Sequence, residues 1–260
     1  MRSILLFSDV DGTLLDEHGR YAVATGELSA MSTLVRCVLA SSRTILELSR
    51  NQRDLGIEGP VVAENGAVIA LPWHDALRPL GTREDIDGRT WCVSFLGAPA
   101  AELRGELQEV ARDVGVNYEE QGELAPELDR RCSLLVRPVP RASASTLTPL
   151  VDALRARGRT VASGGAWLAI TGGADKGRGV RAVLSALALL GRPRTLVAAV
   201  GDGDNDVSLL LAADRRFVIR RADGTCHASL RALPGVEYAP TPGIDGWRDV
   251  WRQLTGIQEA

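Results

Sequence analysis

No two cysteines in this 260-residue chain are spaced as CxxC, and the four present, Cys37, Cys92, Cys132 and Cys226, are widely scattered. That excludes the usual zinc-site spacing and argues against a disulfide framework. Cys37 sits in an apolar, strand-like run that suits a buried thiol, so a reducing cytoplasm is the expected setting. No stretch reaches 18 uninterrupted apolar residues, so no membrane span is expected. The apolar run at 4–7 is too short for the core of a secretory signal. An excess of positive charge is also missing. The 30 Lys and Arg residues stand against 33 Asp and Glu, a net charge of −3. No global basic field therefore points to nucleic acid or an anionic membrane, and any anion must be bound locally. There are no repeats and no low-complexity tracts.

The apolar residues are arranged as an α/β protein. A buried strand reads at 3–8, helical spacing at 24–35, a strand at 37–40 and a helix at 44–55 closed by Gly56. Short strands at 61–63 and 67–71 flank "ENG". Alternating strands and helices imply βαβ units and a parallel sheet. The middle of the chain differs. There we read a strand in "TWCVSFL", a helix at 99–114, a strand in "CSLLVRPV", a helix at 143–157, and strands in "RTVASG" and "AWLAIT". This is a small α+β module with an antiparallel sheet. The first pattern then resumes with a helix at 175–190, a strand at 195–200, a helix at 205–212, a strand at 217–219 and helices at 225–233 and 246–254. The expected organisation is a parallel-sheet core of 1–80 and 171–260, split by a module inserted at 81–170.

In open α/β sheets, ligands bind beyond the carboxyl ends of the strands. Three strand ends and one helix start carry chemistry there. The first strand ends in Asp9-Val10-Asp11, the second in Ser41-Ser42-Arg43-Thr44, and a later one in Gly201-Asp202-Gly203-Asp204-Asn205-Asp206. A lone lysine, Lys176, opens the helix before that last strand. If these ends converge, Asp9, Asp11 and Asp202 bring hard oxygens into one small space, which is costly unless a cation joins them. Such a donor set suits Mg²⁺. Lys176 adds a point charge, and Ser41 adds a hydroxyl at a helix start, a ready anion site. The sum is a phosphoryl-transfer site in which a carboxylate can attack phosphorus. The two-residue spacing turns Asp9 and Asp11 to the same side. Each motif alone has a plainer reading: a turn at "DG", a polar or calcium-type loop at "GDGDND" without the EF-hand spacing or terminal Glu, a helix cap at Ser41, and a surface position for Lys176. Their joint occurrence in this order favours the site.

The four motifs, "DVDGTLL", "LASSR", the lysine of "ADKGRG" and "GDGDND", resemble those of the haloacid dehalogenase (HAD) superfamily of aspartyl phosphatases, over about 1–80 and 170–255. The resemblance implies a Rossmann-like core with an inserted α+β cap. It implies Asp9 as nucleophile and Asp11 as general acid/base. Mg²⁺ would be held by the Asp9 carboxylate, the Asp11 carbonyl and Asp202, with Asn205 and Asp206 orienting its waters. Ser41, Ser42 and Lys176 would bind the phosphate. A module between the second and third motifs is similar to the Cof-type branch. Within that branch, "SSRT", "GIEGPVVAENGAVIALP", "WLAITGGADKG" and "APTPGIDGWRDVWRQL" resemble mannosyl-3-phosphoglycerate phosphatases, which release mannosylglycerate. Arg43 departs from the lysine of that run, and Gly203-Asp204 and Val207-Ser208 depart from the fourth motif. Alternatives are a broader sugar-phosphate or sucrose-phosphate-like phosphatase, or a phosphomutase. The implied partner is a small phosphorylated sugar or glycosyl-glycerate. A glycerate carboxylate needs its own cation, for which Arg43, Arg178 and Arg137 are candidates. Gly172-Gly173 can admit substrate to backbone N–H groups or act as a hinge. His18, His74 and His227 read as surface residues, and Trp247 and Trp251, four apart on one helix face, as core.

Overall fold

The computed structural model describes residues 3–24, 26–28, 35–139, 147–164, 167–193, 195–221 and 223–256. In chain order the first elements are β1 (Ile4–Ser8), β2 (Val35–Ala40), α1 (Ile45–Leu55), β3 (Val61–Ala63), β4 (Val68–Pro72), β5 (Thr82–Ile86) and β6 (Arg89–Phe95). Next come α2 (Ala100–Val114), β7 (Tyr118–Glu120), α3 (Gln121–Leu124), β8 (Ser133–Pro138), α4 (Thr148–Ala156), β9 (Thr160–Gly164) and β10 (Trp167–Thr171). The chain continues as α5 (Lys176–Leu189), β11 (Leu196–Gly201), α6 (Val207–Leu211), β12 (Arg215–Val218), α7 (Ala228–Arg231), β13 (Val236–Tyr238) and α8 (Gly243–Thr255). The expected helix at 24–35 falls largely outside the described residues, as does the start of the helix expected at 143–157. No described helix is long and apolar enough to cross a membrane.

Nine strands form one sheet in the order β13-β12-β11-β1-β2-β3-β4-β6-β5, parallel from β13 to β3 and antiparallel beyond. β1 lies inside it, between β11 and β2. Its run of apolar residues follows from cover on both faces. Leu6 packs with Leu48, Leu55, Trp247 and Trp251 on one side, and Leu5 and Phe7 with Val180 and Val183 on the other. α1 starts where Thr44 and Glu47 cap each other and stops at Gly56 in the left-handed conformation, as the sequence signals predict. In α8, Trp247 and Trp251 stack with ring centroids 5.5 Å apart. The Trp247 indole donates to Ser8 Oγ at 2.8 Å, and Ser8 Oγ donates to the Asp9 carbonyl at 2.7 Å. The helix that closes the fold thus fixes the end of the central strand.

Four more strands make a separate antiparallel sheet, β7-β8-β10-β9. One face packs on α2 and α4 through Leu134, Val136, Val161 and Ile170. The other presents Leu135, Ala162, Trp167 and Ala169 to a cleft shared with the large sheet. The sequence reading needs one correction here. "TWCVSFL" is not part of the small sheet: as β6 it pairs with β4 and β5 in the large one. Trp91 and Val93 are buried in one core cluster and Cys92 in the other, so the strand has two covered faces and belongs where both can be covered. The helix expected at 225–233 shortens to α7 because Asp223 Oδ1 accepts from the Thr225 N–H at 2.8 Å and holds its beginning as a turn.

Glu64 ties the small sheet to the large one. Glu64 and Asn65, in "ENG", both have positive φ, 50° and 54°, a costly backbone state for such residues. The Glu64 carboxylate is buried and accepts from the N–H groups of Arg131 (3.0 Å) and Cys132 (2.8 Å) and from Ser133 Oγ (2.8 Å). Those three residues lead into β8. Burial raises the Glu64 pKa despite these donors. Glu64→Ala leaves three buried donors without an acceptor and is expected to cost about 2–4 kcal/mol. Glu64→Gln, which keeps an oxygen there, is expected to lose less. Denaturant titration of both variants against the parent measures this, and equal stability of all three would remove Glu64 from the junction.

Candidate active site

The carboxyl ends of β1, β2 and β11 open onto a cleft of about 1230 Å³ whose lining includes Asp9, Asp11, Ser42, Arg43, Asn65, Arg130, Asp202 and Asn205. Asp9 follows β1, its N–H donating to the Val200 carbonyl at 3.0 Å, and its side chain is nearly buried. Lys176 is the first residue of α5, set in place by its cap Asp175. Its ammonium is fully buried and donates to Asp9 Oδ1 at 2.6 Å and Asp206 Oδ1 at 2.7 Å. The other Asp206 oxygen accepts from the N–H groups of Asp202 (3.1 Å) and Gly203 (2.9 Å), so it shapes the loop that presents Asp202. Thr13 Oγ1 donates to Asp202 Oδ1 at 2.9 Å. Gly12 has φ +81°, and a Cβ there would come within 2.8 Å of Asp202 Oδ2. Only glycine lets the turn pass this close to the carboxylate.

One carboxylate oxygen each from Asp9, Asp202 and Asp206 lie within 4.8 Å of one another. Burial, then Asp206, pushes the Asp9 carboxyl well above its ordinary range, against the pull of Lys176. Burial and Asp206 likewise push Asp202 up to about 6. Burial disfavours the Lys176 charge, but Asp206 and Asp9 outweigh it and its pKa is raised. Three carboxylates face a single ammonium, so the cluster carries excess negative charge in a desolvated place. Its donors are hard oxygens, and Asp202, with one oxygen on Thr13, keeps capacity for a cation. The residues fit a divalent metal such as Mg²⁺.

Asp11 is exposed and held by a fork from Arg43, with Nη2 to Oδ1 at 2.6 Å and Nε to Oδ2 at 3.0 Å. A lysine could not make both contacts. From Asp11 the chain forms a small flap, with bridges from Leu15 to Asp11 and Tyr21. The other expected site residues divide. Ser42 lines the cleft, whereas Ser41 is buried, its Oγ accepting from the Arg43 N–H at 3.3 Å. Asn205 donates to Asn65 Oδ1 at 3.2 Å. Arg178, Gly172 and Gly173 are not among the lining residues. The Arg178 N–H serves the Asp175 cap, and a Cβ at Gly172 would lie 2.3 Å from the Ala98 nitrogen. That glycine is needed where two chain segments cross at the base of the small sheet. Arg137 pairs with Glu119 and lies over the Trp167 ring at 4.8 Å. His18 and His227, read as surface residues, line the cleft. Arg130 and Trp167 also line it, and nothing in their local sequence marks them; Asn65 lay in plain view within "ENG".

A family model described as haloacid dehalogenase-like hydrolase matches residues 6–77 and 145–230. A glucosyl-3-phosphoglycerate/mannosyl-3-phosphoglycerate phosphatase of Persephonella marina is 28% identical, with 98% of each chain covered. A protein of the same description from Methanococcoides burtonii is 27% identical, with 97% of each covered. Among solved structures, a protein of Thermoplasma acidophilum superposes with a TM-score of 0.70 at 16% identity, over 99% of this chain and 100% of that one. The sucrose-phosphatase of Synechocystis does so with a TM-score of 0.63 at 15% identity, over 98% of both. At those identities the structural likeness speaks for the fold.

Proposed function

The chain belongs to the haloacid dehalogenase-like hydrolases and is a phosphatase, and from that premise we propose that it is a Mg²⁺-dependent enzyme that hydrolyses a glycosyl-3-phosphoglycerate, mannosyl or glucosyl, to the glycosylglycerate and phosphate. The observation that carries the reading is the convergence of Asp9, Asp202, Asp206 and Lys176 at the carboxyl ends of β1 and β11, with Asp11 two residues beyond the nucleophile position. The near full-length relatives carry the substrate class.

Lys176 holds Asp9 Oδ1, which leaves Oδ2 to attack phosphorus. As the Asp9–phosphorus bond forms, the ester oxygen leaves and takes a proton from Asp11. Water then attacks the aspartyl-phosphate and gives its proton to Asp11, and inorganic phosphate departs with Asp9 restored. Arg43 orients the Asp11 side chain, through both oxygens when it is ionised and through one when it carries the proton. Ser42 and the N–H groups entering α1 would receive phosphate oxygens, with Ser41 shaping that loop from within. The Asp9 carboxylate, the Asp11 carbonyl and Asp202 would hold Mg²⁺, with Asn205 and Asp206 behind them; the ion supplies charge neutralisation at phosphorus. The four-stranded module acts as the cap, placing Leu135, Trp167 and Ala169 over the sugar. The four cysteines are free thiols, which supports a reducing, cytoplasmic setting.

Phosphate release across an ester panel tests the reading. Mannosyl- and glucosyl-3-phosphoglycerate are expected to exceed hexose and sucrose phosphates in kcat/KM by about 100-fold or more. EDTA should abolish release and Mg²⁺ restore it. A preference for sucrose or hexose phosphates would assign a different sugar phosphatase. An isomerised sugar phosphate in place of inorganic phosphate would assign a mutase.

A further inference from the structure

Arg130 is the cleft's unexplained cation. Its side chain is 4% exposed yet lines the same cleft as Asp11 and Arg43. Nε donates to Gln121 Oε1 at 3.1 Å, and Nη1 donates to the Ser42 carbonyl at 2.9 Å and to Ser133 Oγ at 3.3 Å. Nη2 makes no hydrogen bond to a described residue. The carboxylate nearest to it, Glu47 Oε2, is 4.0 Å away and is already the acceptor for the Thr44 N–H at 2.8 Å in the α1 cap. Burial disfavours the guanidinium charge, and Glu64, Glu47 and Glu120 offset this only in part. A buried guanidinium with an uncommitted edge facing a cleft is costly unless an anion completes it.

The other arginines at the cleft are committed or solvated. Arg43 forks onto Asp11, Arg20 pairs with Asp16, and Arg221 is exposed at the rim, where a charge pair is worth little. Arg130 alone among them is both desolvated and tied, through the Ser42 carbonyl, to the loop proposed to hold the phosphate. A phosphoglycerate carries its carboxylate and its phosphate on one three-carbon unit, so the carboxylate must be received close beside that loop. We propose that Arg130 determines specificity by binding the carboxylate of the substrate's glycerate unit while the phosphate stands over Asp9. This rests on the phosphoglycerate reading above. It places the second anion site at the junction of cap and core, where the carboxylate would also draw the two together.

The test compares kcat/KM for a glycosyl-3-phosphoglycerate with that for the matching glycoside of glycerol 3-phosphate, which lacks the carboxylate. The parent is expected to favour the first, and Arg130→Gln to reduce that ratio about 30-fold. Arg130→Lys, which keeps the charge but not the fork, should fall between them. A ratio unchanged in both variants overturns the proposal. If Arg130→Gln does not fold, the parent alone decides. Protection against thermal melting by 3-phosphoglycerate should exceed that by glycerol 3-phosphate, and equal protection overturns the carboxylate site. Failure of the substrate reading looks different: the parent then hydrolyses other phosphate esters faster than any phosphoglycerate, whatever the variants do.

Discussion

Asp9→Asn is expected to lower phosphate release by about 10⁴-fold or more while leaving a protein at least as stable as its parent in EDTA. The first half follows from the chemistry: an amide cannot attack phosphorus and leave again as a carboxylate. The second follows from the surroundings. Burial and the neighbouring carboxylates of Asp206 and Asp202 already raise the Asp9 pKa, against the pull of Lys176, so the site favours a neutral group over an ionised one. Asparagine is of equal size, and its oxygen can still accept from Lys176, 2.6 Å away in the parent. The pairing of outcomes is what discriminates. A variant that melts like its parent and still releases phosphate would remove Asp9 from the nucleophile's role. One that unfolds would contradict the electrostatic account of the pocket.

The convergence of the candidate site residues was legible in the sequence because each occupies a strand end or a helix start, where topology alone decides which side chains meet. β1, β2 and β11 lie side by side, so "DVDGT", "SSRT" and "GDGDND" come together without any further information. The four-stranded module was less legible. β8 reads as a poorly alternating strand because both its faces are apolar for different reasons: Leu134 and Val136 pack on helices, while Leu135 faces the cleft. β6 misleads in the opposite sense. It stands within the inserted stretch of sequence, yet Trp91, Cys92 and Val93 are covered on both sides in the large sheet. Arg130 could not be singled out at all. It lies in an irregular segment, and its meaning depends on contacts to Ser42, 88 residues away, and to Gln121. Residues placed by topology can be read from a sequence; residues placed by packing between two sheets require the structure.

Removing the Lys176 charge should cost both stability and turnover, and the two losses should separate. Of the 30 lysine and arginine residues in the chain, Lys176 is the single lysine. Physical chemistry requires it there. The site is fully buried, a compact ammonium bridges Asp9 and Asp206, and a planar guanidinium has neither the room nor the point-charge geometry to do so. The backbone that positions it is closely packed as well: a Cβ at Gly177 would meet the Ser208 carbonyl oxygen at 2.3 Å, and one at Gly66 the Lys176 backbone nitrogen at 2.8 Å. Lys176→Met is therefore expected to destabilise the protein by about 3–5 kcal/mol, because two buried carboxylates lose their counter-charge. Turnover should fall about 10³-fold as the positive charge beside phosphorus disappears. Lys176→Arg should rescue neither. Adding Asp206→Asn to Lys176→Met removes one of the stranded carboxylates, so stability should return in part while turnover stays low. Chemical denaturation and single-turnover phosphate release on the four proteins measure both quantities. A double variant that regained activity along with stability would show that Lys176 serves the fold alone.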